Sequence, residues 1–136
     1  MSRLPEQRAW DTFSGGYNRS ELKLFRVENM CVDGMADIIG LNRRGVTFWL
    51  ESKALDKWPE RHTTFPLKDV FEPGQIPFLR QWKWWKGHAY VLLRIDTEFI
   101  LLDPDLELKE MTAVALLSSA IISGKLAIYS HLERLE

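Results

Sequence analysis

The period of apolar and polar positions changes along the chain, and those changes divide it into elements. Ile38, Ile39 and Leu41 lie on one side of a short break. Val46, Thr47, Phe48, Trp49 and Leu50 lie on the other, and both runs are rich in β-branched and aromatic residues. Asn42-Arg43-Arg44-Gly45 between them reads as a hairpin turn, with Gly45 where a positive φ is needed. With the turn centred near Arg44, Asp37 falls opposite Glu51, within one position. Alternation then puts Glu51 and Lys53 on one face and turns Leu50 and Ser52 away. Upstream, Leu4, Arg8, Ala9, Trp10 and Phe13 predict a helix over 3–13, with Ser2 as N-cap and Pro5 in the first turn. Residues 22–28 predict a first strand, with Leu22, Leu24, Arg26 and Glu28 on one face. Residues 54–72 show no clear period, and a stretch of that kind inside a small domain is often functional. Gly74 to Lys86 reads as a helix with a stripe of Ile76, Leu79 and Trp82, tolerating Pro77 only in its first turn. Of Trp82, Trp84 and Trp85, at least one must be exposed, and packing is the simpler role for Trp82. Residues 88–95 form a nearly unbroken apolar run and so predict a central strand. A short strand over 98–102, a helix over 111–122 and a last edge strand over 126–131 complete the order α-β-β-β-loop-α-β-β-α-β. That order predicts one α/β (α+β) domain over residues 1–136, a mixed sheet flanked by helices.

Composition narrows the class. The chain has 136 residues, 46% hydrophobic and 27% charged, which is ordinary for a globular protein and enough for a hydrophobic core. No apolar run reaches the ~18 residues of a membrane span, and the first residues lack the apolar core of a signal peptide. Cys31 is the single cysteine, so neither a disulfide within the chain nor a cysteine zinc cluster is available. A cytoplasmic location is expected. The net charge of −1 hides an asymmetry: residues 1–41 carry −1, residues 42–94 carry +5 and residues 95–136 carry −5. The basic stretch begins at the hairpin turn and includes Glu51 and Lys53, which suits a polyanionic substrate.

Asp37, Glu51 and Lys53 converge at one end of the hairpin. A Glu-x-Lys on an exposed strand is a common surface ion pair worth ~0–1 kcal/mol. Here it follows the apolar run 46–50, at the end of a buried strand, where charge is costly unless it is paired or binds something. Two carboxylates with a neighbouring ammonium suit a hard divalent cation.

Gly34-Met35-Ala36-Asp37 followed by Glu51-Ser52-Lys53 resembles the PD-(D/E)XK nuclease signature, with alanine in place of the usual proline. Phe65-Pro66-Leu67-Lys68-Asp69-Val70, then Gln75, then Gly87-His88-Ala89-Tyr90-Val91-Leu92-Leu93, is similar to the RecU-type and archaeal Hjc-type branch of Holliday junction resolvases. Arg26-Val27-Glu28-Asn29 resembles the first strand of small phage-encoded relatives. The resemblance spans roughly residues 25–95 and lacks a counterpart of the RecU stalk. It implies a restriction-endonuclease-like core and a Mg²⁺-dependent endonuclease, with Mn²⁺ as a possible substitute. It further implies branched DNA as substrate, a homodimer, and host cytoplasm for a phage protein. Carried over by residue, Asp37, Glu51 and the carbonyl of Ser52 are metal ligands. Lys53 orients water or stabilises charge at phosphorus, and Gln75 positions water or phosphate. The superfamily's accessory carboxylate falls to Glu28 first and Glu6 second. Arg43, Arg44, Lys57, Arg61, His62, Lys68 and Lys83 are the expected DNA contacts, and His88 is expected to be structural. Two alternatives stay open: a less selective nuclease of the same fold on flap, single-stranded or duplex DNA, and a DNA-binding module that does not cleave.

Overall fold

The computed structural model describes residues 3–27, 34–58, 60, 64–107 and 109–136, leaving aside the side chains of Arg3, Leu4, Phe65, Pro66 and Lys68. Glu28, Arg61 and His62, all named above, therefore lie outside the described residues, as does the side chain of Lys68. The elements are α1 (Arg3–Gly15), β1 (Leu22–Arg26), β2 (Ile38–Asn42), β3 (Thr47–Leu55), β4 (Phe65–Pro66), a 3-10 turn (Leu67–Val70), α2 (Gln75–Trp84), β5 (His88–Ile95), β6 (Glu98–Leu102), β7 (Glu110–Met111), α3 (Ala113–Ser119), β8 (Ile122–Ser123) and α4 (Lys125–Glu133). Six strands form a mixed sheet in the order β1-β2-β3-β5-β6-β8, and β4 with β7 makes a separate two-stranded ribbon. Within the sheet β3 and β5 run parallel and the other neighbours antiparallel.

Both faces of the sheet are covered, and this is why its central strands read as apolar runs rather than as alternation. Leu50 and Leu92 point to one side, where Ala9 and Phe13 of α1 and Ile128, Tyr129 and Leu132 of α4 close the core. Trp49, Val91 and Leu93 point to the other, beneath Ile76 and Leu79 of α2 and Leu116 of α3. The β2–β3 turn is fixed by its own residues. Gly45 takes φ +78°, the left-handed region that a side chain resists. The buried Asn42 side chain accepts from the N–H groups of Arg44 (2.9 Å) and Val46 (3.1 Å) and donates to the carbonyls of Leu132 (3.0 Å) and Leu135 (2.9 Å). One side chain thus closes the turn and ties the end of the chain to it.

The C-terminal third departs from expectation. Residues 126–131 are helical within α4, not an edge strand: Ile128, Tyr129 and Leu132 sit one and three residues apart and are all buried on the α1 side. The Tyr129 hydroxyl donates to the Phe13 carbonyl at 2.7 Å. The expected helix over 111–122 is shorter. Thr112 caps α3 by accepting from the Ala115 N–H at 3.2 Å, and the chain leaves the helix after Ser119 so that Ile122–Ser123 can pair with β6. The stretch 54–72 is partly regular, because β3 runs on to Leu55 and Phe65–Pro66 pairs with Glu110–Met111. Among the described residues no helix is long and apolar enough to cross a membrane.

Candidate active site

The hairpin register brings the acidic pair together. Ile39 opposes Trp49 and Ile38 opposes Leu50, so one further step along the ladder sets Asp37 across from Glu51. Backbone hydrogen bonds hold Asp37 from both sides: its carbonyl accepts from the Val27 N–H at 2.6 Å, and its Oδ2 accepts from the Ser52 N–H at 3.2 Å. On its other flank β3 pairs with β5, Glu51 lying beside Val91, which puts Glu51 in the middle of the sheet with 0% of its surface exposed. Lys53, 5% exposed, reaches back along the same face. Its Nζ lies 3.6 Å from Glu51 Oε2, 3.9 Å from Glu6 Oε1 of α1 and 5.9 Å from the centre of the Phe71 ring.

Neither oxygen of Glu51 meets a hydrogen-bond donor among the described residues. Burial, and next the adjacent Asp37 carboxylate, push the Glu51 carboxyl up to about 9, and Lys53 offsets only part of this. The Glu6 carboxyl is also raised, first by burial and then by Asp37 and Glu72, against the pull of Lys53 and, less, of Arg26. Two carboxylates this close and this dry cannot both be ionised unaided. A divalent cation between them would remove the conflict and give the orphaned Glu51 oxygens a partner. Among the described residues no three His, Cys, Asp or Glu side chains close into a metal cage. Asp37 and Glu51 are the two carboxylates that the hairpin register sets across from each other. An open set of oxygen donors suits Mg²⁺, which keeps several waters and is commonly held by one or two carboxylates together with substrate phosphate.

Gln75 stands at the first position of α2, 9% exposed, with its Oε1 accepting from the Glu72 N–H at 2.9 Å. The start of α2 is pinned to the segment leading into Asp37. Gly34 has φ +81°, and a Cβ there would stand 2.3 Å from the Gly74 carbonyl oxygen. Of the two accessory carboxylates, the described structure brings in Glu6.

The expected DNA contacts scatter. Arg43 and Arg44 occupy the turn at the far end of β2, a five-residue strand about 17 Å long. Arg44 pairs there with Glu136 at 2.6 Å. Lys83 is held by Asp103 (2.6 Å) and Asp105 (2.7 Å), so its charge is already neutralised within the chain. Neither the turn arginines nor Lys83 gathers at the acidic pair. Lys57 is exposed just beyond the end of β3 that carries the pair. His88 bonds the Glu136 carbonyl at 2.9 Å, a structural contact as expected.

The chain shares its fold with a Holliday junction resolvase. The solved structure of Hjc from Archaeoglobus fulgidus, an archaeal hyperthermophile, superposes with a TM-score of 0.54 at 14% identity, covering 85% of this chain and 92% of that one. No protein-family model and no curated protein matches the sequence. The restriction-endonuclease-like architecture expected from the motif is thus the one observed: a mixed six-stranded sheet with four helices, the Asp37–Glu51 pair on its central hairpin.

Four residues near the pair escaped sequence reasoning. Arg26 and Trp10 line a cleft of ≈ 10 Å³ together with Glu6, Asp37, Ile38 and Ser52. Gln7 bonds Arg26, and Glu72 acts on Glu6. For Arg26 a signal existed: its parity with Leu22 and Leu24 assigns an arginine to a buried strand face.

Proposed function

We propose that this protein is a Mg²⁺-dependent endonuclease that hydrolyses phosphodiester bonds in branched DNA. The observation that carries this reading is Glu51, a fully buried carboxyl set against Asp37, 3.6 Å from the Lys53 ammonium and without a well-formed hydrogen-bond donor among the described residues. Such a group is costly in a metal-free fold and useful once a cation and a phosphate share the site. Asp37 and Glu51, with the Ser52 carbonyl, would hold the ion, which when bound supplies Lewis-acid polarisation of phosphate and water. A water oxygen forms the new bond to phosphorus as the P–O3′ bond breaks, leaving a 5′-phosphate. Glu6 is placed to take the water's proton, and the leaving O3′ gains one from solvent as the 3′-hydroxyl. Lys53 sits where an ammonium stabilises charge building on the phosphoryl oxygens. Gln75, whose Oε1 accepts from the Glu72 N–H, would position water or phosphate.

Paired cuts across a junction require two such sites. An uncovered aromatic face supports a homodimer. Phe25 opposes Ile39 and Ile39 opposes Trp49 across three strands, and Trp49 meets Phe78 (5.5 Å) and Trp82 (5.7 Å) of α2. Phe25 is 59% and Trp85 76% exposed, with Leu41 and Trp82 also open. Together these offer on the order of 500 Å² of apolar surface, a large fraction of the ~800 Å² per partner of a stable interface.

The substrate class is tested by offering labelled four-way junction, flap, single-stranded and linear duplex DNA of matched sequence with Mg²⁺. Paired nicks confined to the junction are expected. Equal cutting of all four would keep the active site and remove the junction preference. Binding of DNA without cutting would favour a non-catalytic module.

A further inference from the structure

We infer that Arg26 is a phosphate-binding residue of this site and that Gln7 positions it. The proposal rests on the nuclease reading above and extends it to residues outside the acidic motif.

The two cations near the acidic pair are in different states. Lys53 is buried, with its Nζ 3.6 Å from Glu51 and 3.9 Å from Glu6. Arg26 ends β1 and pairs with Ile38, immediately before the segment that carries the Asp37 backbone. It lines the cleft shared by Glu6, Trp10, Asp37 and Ser52. Among the described residues no carboxylate hydrogen-bonds it, although two, Glu6 and Asp37, line the cleft. Its partner is neutral: Nη1 donates to Gln7 Oε1.

That choice of partner matters chemically. A guanidinium carries five N–H donors in a rigid fork, and the amide carbonyl takes up one direction while cancelling none of the charge. Gln7 is itself oriented, because its Nε2 donates to Asp11 Oδ1 at 3.0 Å one helical turn on. Asp11 thereby fixes which end of the amide faces Arg26. The result is a positive charge that, among the described residues, keeps donors beyond the one given to Gln7, in the cleft that Glu6 and Asp37 also line. A phosphate bridged to a divalent cation at the acidic pair would bring a non-bridging oxygen to these donors, and a charge-assisted, two-pronged contact is the kind a guanidinium makes best.

A purely structural role for the pair makes the opposite forecast, and Gln7→Glu separates the two. If Arg26 is only a strut between α1 and β1, a carboxylate at position 7 turns the hydrogen bond into an ion pair. Activity then stays at or above that of Gln7→Ala. If Arg26 binds phosphate, Gln7→Glu neutralises it and adds negative charge to the substrate path. Single-turnover cleavage of labelled DNA with Mg²⁺ should then fall about 10-fold in Gln7→Ala and about 100-fold in Gln7→Glu, on the scale of losing one charge-stabilising donor. Melting temperature should be equal or higher in Gln7→Glu, and Arg26→Lys should lose more than 10-fold because the fork is gone. Gln7→Glu cutting as fast as Gln7→Ala would overturn the proposal and leave the nuclease reading intact. A wild type that cuts no DNA would bring down both.

Discussion

Glu51 is placed where folding alone would favour an apolar residue. Below its ordinary value of 4.5 both the folded and unfolded chains hold its proton. Between 4.5 and about 9 only the folded chain does, so raising pH through that window weakens the metal-free fold. The melting temperature in EDTA should therefore drop by about 3 °C per pH unit between pH 6 and 8. Glu51→Gln should flatten that slope and melt several degrees higher at pH 8, and it should lose the stabilisation by Mg²⁺ expected of the wild type. A wild type insensitive to pH over this range would contradict the account of the site. Asp37, Glu51 and Lys53 were legible in the sequence because a two-residue period and a glycine-closed turn determine which side chains meet. Gln7 and Trp10 were not, and Arg26 only through its parity with Leu22 and Leu24, because their meeting depends on how α1 lies across β1, and local pattern carries no information about that. The carboxylate partners of Lys83, expected to contact DNA, were not legible for a related reason. Asp103 and Asp105 fold back onto α2 and neutralise it, a pairing between residues 20 or more positions apart.

Among the elements, the hairpin and the start of α2 decide whether the acidic pair is in register. Asn42 ties the hairpin turn to the end of α4 by four hydrogen bonds, two of them buried side-chain donations. Asn42→Ala leaves those acceptors unpaired and should cost about 2–3 kcal/mol in urea unfolding. Gly34→Ala meets two penalties, the positive φ and the approach to the Gly74 carbonyl. It should lose about 2 kcal/mol and also lower cleavage, since it displaces the segment that delivers Asp37; a variant as stable and active as the wild type would show that contact to be slack. The first three strands, α2, β5 and β6 were readable from period and turn signals. The last edge strand was not. The helical spacing of residues 128, 129 and 132 emerges only when the window runs past position 131, and α3 stops early for the tertiary reason that Ile122–Ser123 completes the sheet edge.

At the scale of the whole molecule, the described cations of the basic stretch over 42–94 do not gather on one surface. Its turn arginines, its buried lysine and its carboxylate-paired lysine lie in different places. On the proposed function, recognition of DNA would fall to the cleft cations and to what a second copy adds. The aromatic face bearing Phe25, Leu41 and Trp85 should bring two chains together: sedimentation should give twice the chain mass, and Leu41→Lys combined with Trp85→Glu should return the single-chain mass with the fold intact. A monomeric wild type would remove the paired-cut mechanism and leave single nicking.

The most direct test of the account is cleavage of an end-labelled four-way junction by the wild type and by Asp37→Asn, each in Mg²⁺ and in EDTA. The account predicts 5′-phosphate products from the wild type in Mg²⁺ only, and at least a 100-fold loss in the variant, whose pair can no longer hold the cation. Equal cutting by both proteins, or cutting that survives EDTA, would contradict it.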